Sequence, residues 1–150
     1  MELRPLLQEE VRALRAMIEE RVDQHLQSSD PQSAFIRGAP YAADWSIGCL
    51  NHNNLERVRW LLSEIGFTVR GVTTQSVQSD IPGVHNEFFV LIVQREVFFL
   101  PDCLWGEALL IEGVACSWGA HVERFNLAND LASRRRAYRH QYGPMGKCVA

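Results

Sequence analysis

The chain has 150 residues, 47% of them apolar and 22% charged, which is the profile of one globular domain and too little chain for two full-sized ones. Fifteen Lys and Arg against eighteen Asp and Glu leave a net charge of −3, the wrong sign for a protein whose main partner is nucleic acid, because neutralising phosphates needs a basic excess. The longest uninterrupted apolar run, 88–93, is six residues, far short of a membrane span. The first residues pass directly into a charged amphipathic segment, so no secretory signal is expected. Four cysteines (Cys49, Cys103, Cys116, Cys148) lack CxxC spacing, and free thiols in the cytoplasm are expected, a location shared with effectors that a specialised machine delivers.

In chain order, the spacing of Leu7, Val11, Leu14, Ile18, Val22 and Leu26 predicts a helix over 6–27, with Pro5 at its start and Glu9 and Glu10 near its positive end. An irregular connection is expected over 34–48, where Gly38, Pro40, Asp44 and Gly48 fall. A second helix is expected over 49–65, with Leu50, Val58, Leu61, Leu62 and Ile65 inward and Gly66 as its stop. The period then changes to two at Phe67, Val69 and Val72, which predicts a strand. A turn at 80–83 leads to apolar runs at 87–93 and 97–100, read as a hairpin around Gln94, Arg95 and Glu96. A further strand at 109–114 and a final helix over 123–141 complete the pattern. Arg134, Arg135 and Arg136 read as a solvated face of that last helix. Helices before and after an antiparallel meander predict an α+β layer structure in a single domain, 1–150. GxGxxG and GxxxxGK phosphate loops are absent.

One constellation points to chemistry. Cys49, after Gly48, is expected in the first turn of the second helix, where unpaired N–H groups and the helix dipole favour a thiolate, the nucleophilic form. His85 is expected at the entry of the strand that follows the turn, placed to act as general base and then acid. Asp102 follows the next strand, and in a hairpin the end of one strand lies beside the start of its partner. That register sets Asp102 against His85, to hold the imidazole in the right tautomer. Trp45, Asn53 and Trp105 are expected to line the cleft, by their nearness in sequence to these three. His52, His121 and His140 read as surface or capping residues.

The same residues resemble a family. A Cys before a helix, followed by His and Asp on adjacent strands, is similar to the transglutaminase-like branch of the papain-like cysteine enzymes, and most to the arylamine N-acetyltransferases. The run Ser46-Ile47-Gly48-Cys49-Leu50-Asn51-His52-Asn53 resembles the family's Gly-Gly-x-Cys-x-Glu-x-Asn, matching at Cys49 and Asn53. His85 opens HNEFFVLIV as the family's His opens His-x-x-Leu-x-Val. Asp102-Cys103-Leu104-Trp105-Gly106 resembles Asp-x-Gly-Phe-Gly. The likeness spans about residues 45–110. Asn51, Ser46 and Leu104 depart from the pattern, and the third domain of full members has no counterpart.

The resemblance implies a papain-like fold and acyl transfer through a Cys49 thioester. The donor would be acyl-CoA or a carrier-bound thioester, used as substrate with no bound cofactor. An amine or protein acceptor gives transfer; water gives hydrolysis or deamidation. The competing expectation is a catalytically decayed scaffold acting as a protein-binding module. A metal site at Cys103, Cys116 and His121 lacks the paired spacing that tetrahedral ligation needs, so none is expected.

Overall fold

The structure is a computed structural model that describes residues 6–26, 36–78 and 80–128, together with residues 135, 138 and 139. It is α+β: α1 (Gln8–Leu26), β1 (Pro40–Cys49), α2 (His52–Glu64), β2 (Thr68–Gln78), β3 (His85–Phe98), α3 (Pro101–Cys116) and β4 (His121–Leu127). The four strands form one sheet in the order β2-β3-β1-β4, every neighbouring pair antiparallel. β1 and β2 therefore run parallel with β3 between them, and β3 and β4 run parallel with β1 between them. Two interlocked split βαβ units result, α2 crossing over in the first and α3 in the second.

One face of the sheet carries the core. Tyr41, Ala43, Trp45, Ile47 and Cys49 alternate along β1 and lie opposite Val97, Arg95, Val93, Leu91 and Phe89 of β3. Leu55, Val58 and Leu62 of α2 and Leu104, Ala108, Ile111 and Val114 of α3 close over them. α1 packs against α3 through Leu14, Ile18 and Val22, three aliphatic side chains whose burial contributes about 1.5–3 kcal/mol each. Ile36 donates its N–H to Tyr41 Oη at 2.7 Å, and burial still pushes the Tyr41 hydroxyl above its ordinary value. On the opposite face a Cβ at Gly48 would run into the Phe88 ring and come within 2.7 Å of Glu123 Oε1. A β-bulge between Ser46 and Ile47 gives β4 one extra residue there, Glu123. Among the described residues no helix is long and apolar enough to cross a membrane.

The second helix lies inside its expected 49–65 but starts three residues later, and the following strand and the turn at 80–83 fall where the sequence places them. Asn51 caps α2 by accepting the Asn54 N–H at 3.1 Å, and Gly66, at φ +103°, ends it. Four expectations are corrected. The irregular stretch 34–48 is mostly β1, whose inward Tyr41, Trp45 and Ile47 are interleaved with Pro40, Ala42, Ala43, Asp44, Ser46 and Gly48, poor strand signals that are held there by packing. The hairpin expected at 87–100 is the single strand β3. Its middle is no turn because Gln94 bonds Asp44 Oδ1 at 2.8 Å on one face of the sheet. On the other face Arg95 pairs with Glu107, donates to Ile65 O at 2.9 Å and lies over the Phe67 ring. The strand expected at 109–114 lies inside α3, a short apolar run that periodicity cannot assign. Residues 123–127 of the expected final helix belong to β4. Arg135, Tyr138 and Arg139 are helical and exposed; the rest of that helix, and Cys148, lie outside the described residues.

Candidate functional site

Cys49 is the last residue of β1 rather than the first turn of α2, which starts three residues later. It is 3% exposed. Its Sγ lies 3.8 Å from Gly119 O and 4.0 Å from Trp118 O, and it accepts the Asn51 N–H at 3.4 Å. No described imidazole or carboxylate is among its hydrogen-bond partners. His85 is the first residue of β3, opposite Gln78. Cys49 lies opposite Phe89, so the His85 backbone sits four residues farther along β3, about 13 Å past the end of β1 at 3.3 Å per residue. Asp102 stands exposed in the first turn of α3, which follows the other end of that strand. Thirteen steps of β3 separate its two ends, roughly 40 Å of extended chain. The register argument that joined His85 to Asp102 fails because its hairpin does not exist.

The substrate residues divide in the same way. Trp45 is fully buried, its ring stacked on Phe125 at 4.9 Å, so it belongs to the core. Asn53 is exposed in the first turn of α2. Trp105 and Asp102 do come together, in a cavity of about 250 Å³ between α1 and the start of α3 that Arg15, Ile18 and Val22 also line. The Arg15 guanidinium lies 5.9 Å from the centre of the Trp105 ring.

At the Cys49 end of the sheet, α3 grips β4 through one carboxylate. Glu112, 4% exposed, bonds the His121 Nδ1 at 2.7 Å with one oxygen and accepts the Val122 N–H at 2.7 Å with the other. His121, read as a surface histidine, is half-exposed but tethered. Cys116 donates instead to Gly113 O within α3, so it and His121 turn to different partners. Glu112→Ala strands the Val122 N–H and is expected to cost about 1–3 kcal/mol, read as a lower urea midpoint. Glu112→Gln keeps an acceptor for that N–H and should lose less.

The larger surface feature is one the sequence reading passed over. Arg57, Trp60 and Leu61, at i, i+3 and i+4 on α2, form one wall of a groove of about 380 Å³. Trp118, on the turn after α3, forms the other wall. The Arg57 guanidinium sits 4.6 Å from the centre of the Trp118 ring, a cation–π contact. Trp60 is 63% exposed at the mouth, and Leu61 lies half-buried beneath. The Trp118 Nε1 is buried and has no hydrogen-bond partner among the described residues. Glu56 on the rim is engaged with Arg59 at 3.4 Å and His52 at 3.7 Å, whereas Arg57 makes no ion pair with a described carboxylate. Leu50 and Ile65, expected inward, are exposed on either end of α2; Leu55 does the packing instead. Compared with known proteins, the chain matches no family model and no curated protein.

Proposed function

We propose that the chain works as a protein-binding module that seats a bulky apolar side chain of its partner between Trp60 and Trp118. The observation that carries this reading is the groove. Two tryptophans and a leucine are brought together from α2 and a turn almost 60 residues away, with the large apolar surface of Trp60 left facing water. Large exposed apolar groups of this kind mark interaction sites, and tryptophan with arginine is the composition of binding hot spots. Arg57, over the Trp118 ring and in no ion pair with a described carboxylate, adds a preference for an acidic residue beside the apolar anchor. A displayed-peptide library panned against the protein, with Trp60→Ala as the counter-selecting bait, is the direct test. Peptides with a bulky apolar residue flanked by Asp or Glu should be enriched. A library yielding nothing that distinguishes the two proteins would contradict the proposal.

The thiol-enzyme reading, a papain-like acyltransferase or hydrolase working through Cys49, retains one observation in its favour. The Asn51 N–H donates to Sγ at 3.4 Å, a backbone donor aimed at the sulfur a nucleophile would use. Against it stand the burial of Cys49 and the placing of His85 and Asp102 at the two ends of β3. Iodoacetamide labelling of the folded protein, followed by peptide mass spectrometry, separates the two readings. On the binding-module account Cys103, which is partly exposed, reacts before Cys49, which reacts only as the fold opens. Fast labelling of Cys49 near neutral pH that disappears in His85→Ala would restore the enzyme.

A further inference from the structure

β2 is an edge strand: it pairs with β3 on one side, and no described strand pairs with its other edge. From 71 to 78 it carries no charge and no proline, the devices by which exposed edges are normally kept from pairing with another chain. The β2–β3 ladder also outruns the rest of the sheet. β1 ends opposite Phe89, while the pairs from Gln75↔Phe88 to Gln78↔His85 continue as a two-stranded ribbon. Val77 on the ribbon and Ile81 and Val84 at its tip are exposed. A ribbon of two strands alone is marginal in water.

We infer that β2 pairs with β2 of a second copy of this chain across a two-fold axis, joining two four-stranded sheets into one of eight strands. A two-fold axis brings a strand against itself antiparallel, and β2 suits its own sequence in that direction. With Thr74 on the axis, Thr73 faces Gln75, Val72 faces Ser76 and Gly71 faces Val77, while Arg70, the one charged residue of the strand, stands in a β-bulge beyond this run. No like charges meet, and the polar pairs can bond across the junction. The same register lays residues 75–77 of each overhang along 71–73 of the other copy, so each ribbon gains a third strand from the body of its partner's sheet. A foreign peptide would fill the edge but would have to supply that complement itself.

Charge pairs placed on the exposed positions 73 and 75 test this by sedimentation velocity over a wide concentration range. The wild type should sediment with twice its 17.1 kDa chain mass. The double variant Thr73→Lys with Gln75→Lys, and the double variant Thr73→Glu with Gln75→Glu, should each lose the dimer while keeping wild-type circular dichroism. An equal mixture of the two should restore it. Trp60→Ala should remain dimeric. A wild type of single-chain mass throughout, as expected if the edge serves a foreign peptide, would overturn the inference. So would a Lys double variant that stays dimeric, or a dimer lost in Trp60→Ala.

Discussion

Replacing Trp45 by alanine is expected to remove about 3–5 kcal/mol of folding stability, seen as a fall in the urea midpoint with little change in slope. Trp45 is the largest fully buried side chain and sits where β1 is flanked on both sides, opposite Val93 of β3 and Phe125 of β4. Its removal leaves a cavity at the centre of the sheet and ends the stacked contact with Phe125, itself worth about 0.5–1.5 kcal/mol beyond burial. Against a total of roughly 5–15 kcal/mol for a domain of this kind, that is about a fifth of the margin at the least. Trp45→Phe should cost much less. It keeps an aromatic ring against Phe125 and discards an indole N–H that has no partner among the described residues. Had Trp45 lined a cleft, alanine would have changed activity and left stability nearly intact.

Trp60→Ala should behave in the opposite way. Most of the side chain is in water, and the residues that anchor α2 to the sheet are Leu55, Val58 and Leu62, so folding stability should stay within about 0.5 kcal/mol of wild type. Affinity for the peptides selected on the groove should fall by about 2 kcal/mol or more, roughly 30-fold, the loss expected when an aromatic anchor at a binding hot spot is truncated. Isothermal titration of both proteins with the same peptide gives the number. An unchanged affinity would mean that the peptides bind elsewhere.

The contrast between these two tryptophans shows what was legible in the sequence. Elements bounded by strong local signals were readable. The apolar spacing of α1, the Gly66 stop after α2, the turn before β3 and the general α+β class all follow from residues close together in the chain. What failed were inferences that depend on partners far away in sequence. Gln94, Arg95 and Glu96 have the composition of a turn, and the ladder to β1 together with Asp44, Glu107 and the Ile65 carbonyl keeps them in a strand. Once that strand is continuous, His85 and Asp102 part company, and a site built on their nearness dissolves. Ala42, Ala43, Ser46 and Gly48 hid β1 in the same manner, and moved Cys49 from a helix start to a buried strand end.

The groove was illegible for a related reason. Arg57, Trp60 and Leu61 show the spacing of one helix face, and a tryptophan on an otherwise polar face is a usable signal. Trp118 joins them only through the path of α3 back across the sheet. The pairing of buried Glu112 with His121 and the Val122 N–H likewise needs the α3–β4 turn to bring the acceptor to its donors. Asp102 and Trp105, by contrast, line one cavity together, since one turn of helix holds both.

The most direct test of the binding account uses the four tryptophans as reporters, since each gives one indole N–H signal in an ¹H–¹⁵N spectrum. Trp60 and Trp118 belong to the groove, Trp45 to the core, and Trp105 to the separate cavity between α1 and α3. Titration with a selected peptide should move the Trp60 and Trp118 signals together, saturably, and leave those of Trp45 and Trp105 in place. A titration that moves Trp105 while Trp60 and Trp118 stay fixed would contradict the account and place the functional surface at the cavity between α1 and the start of α3.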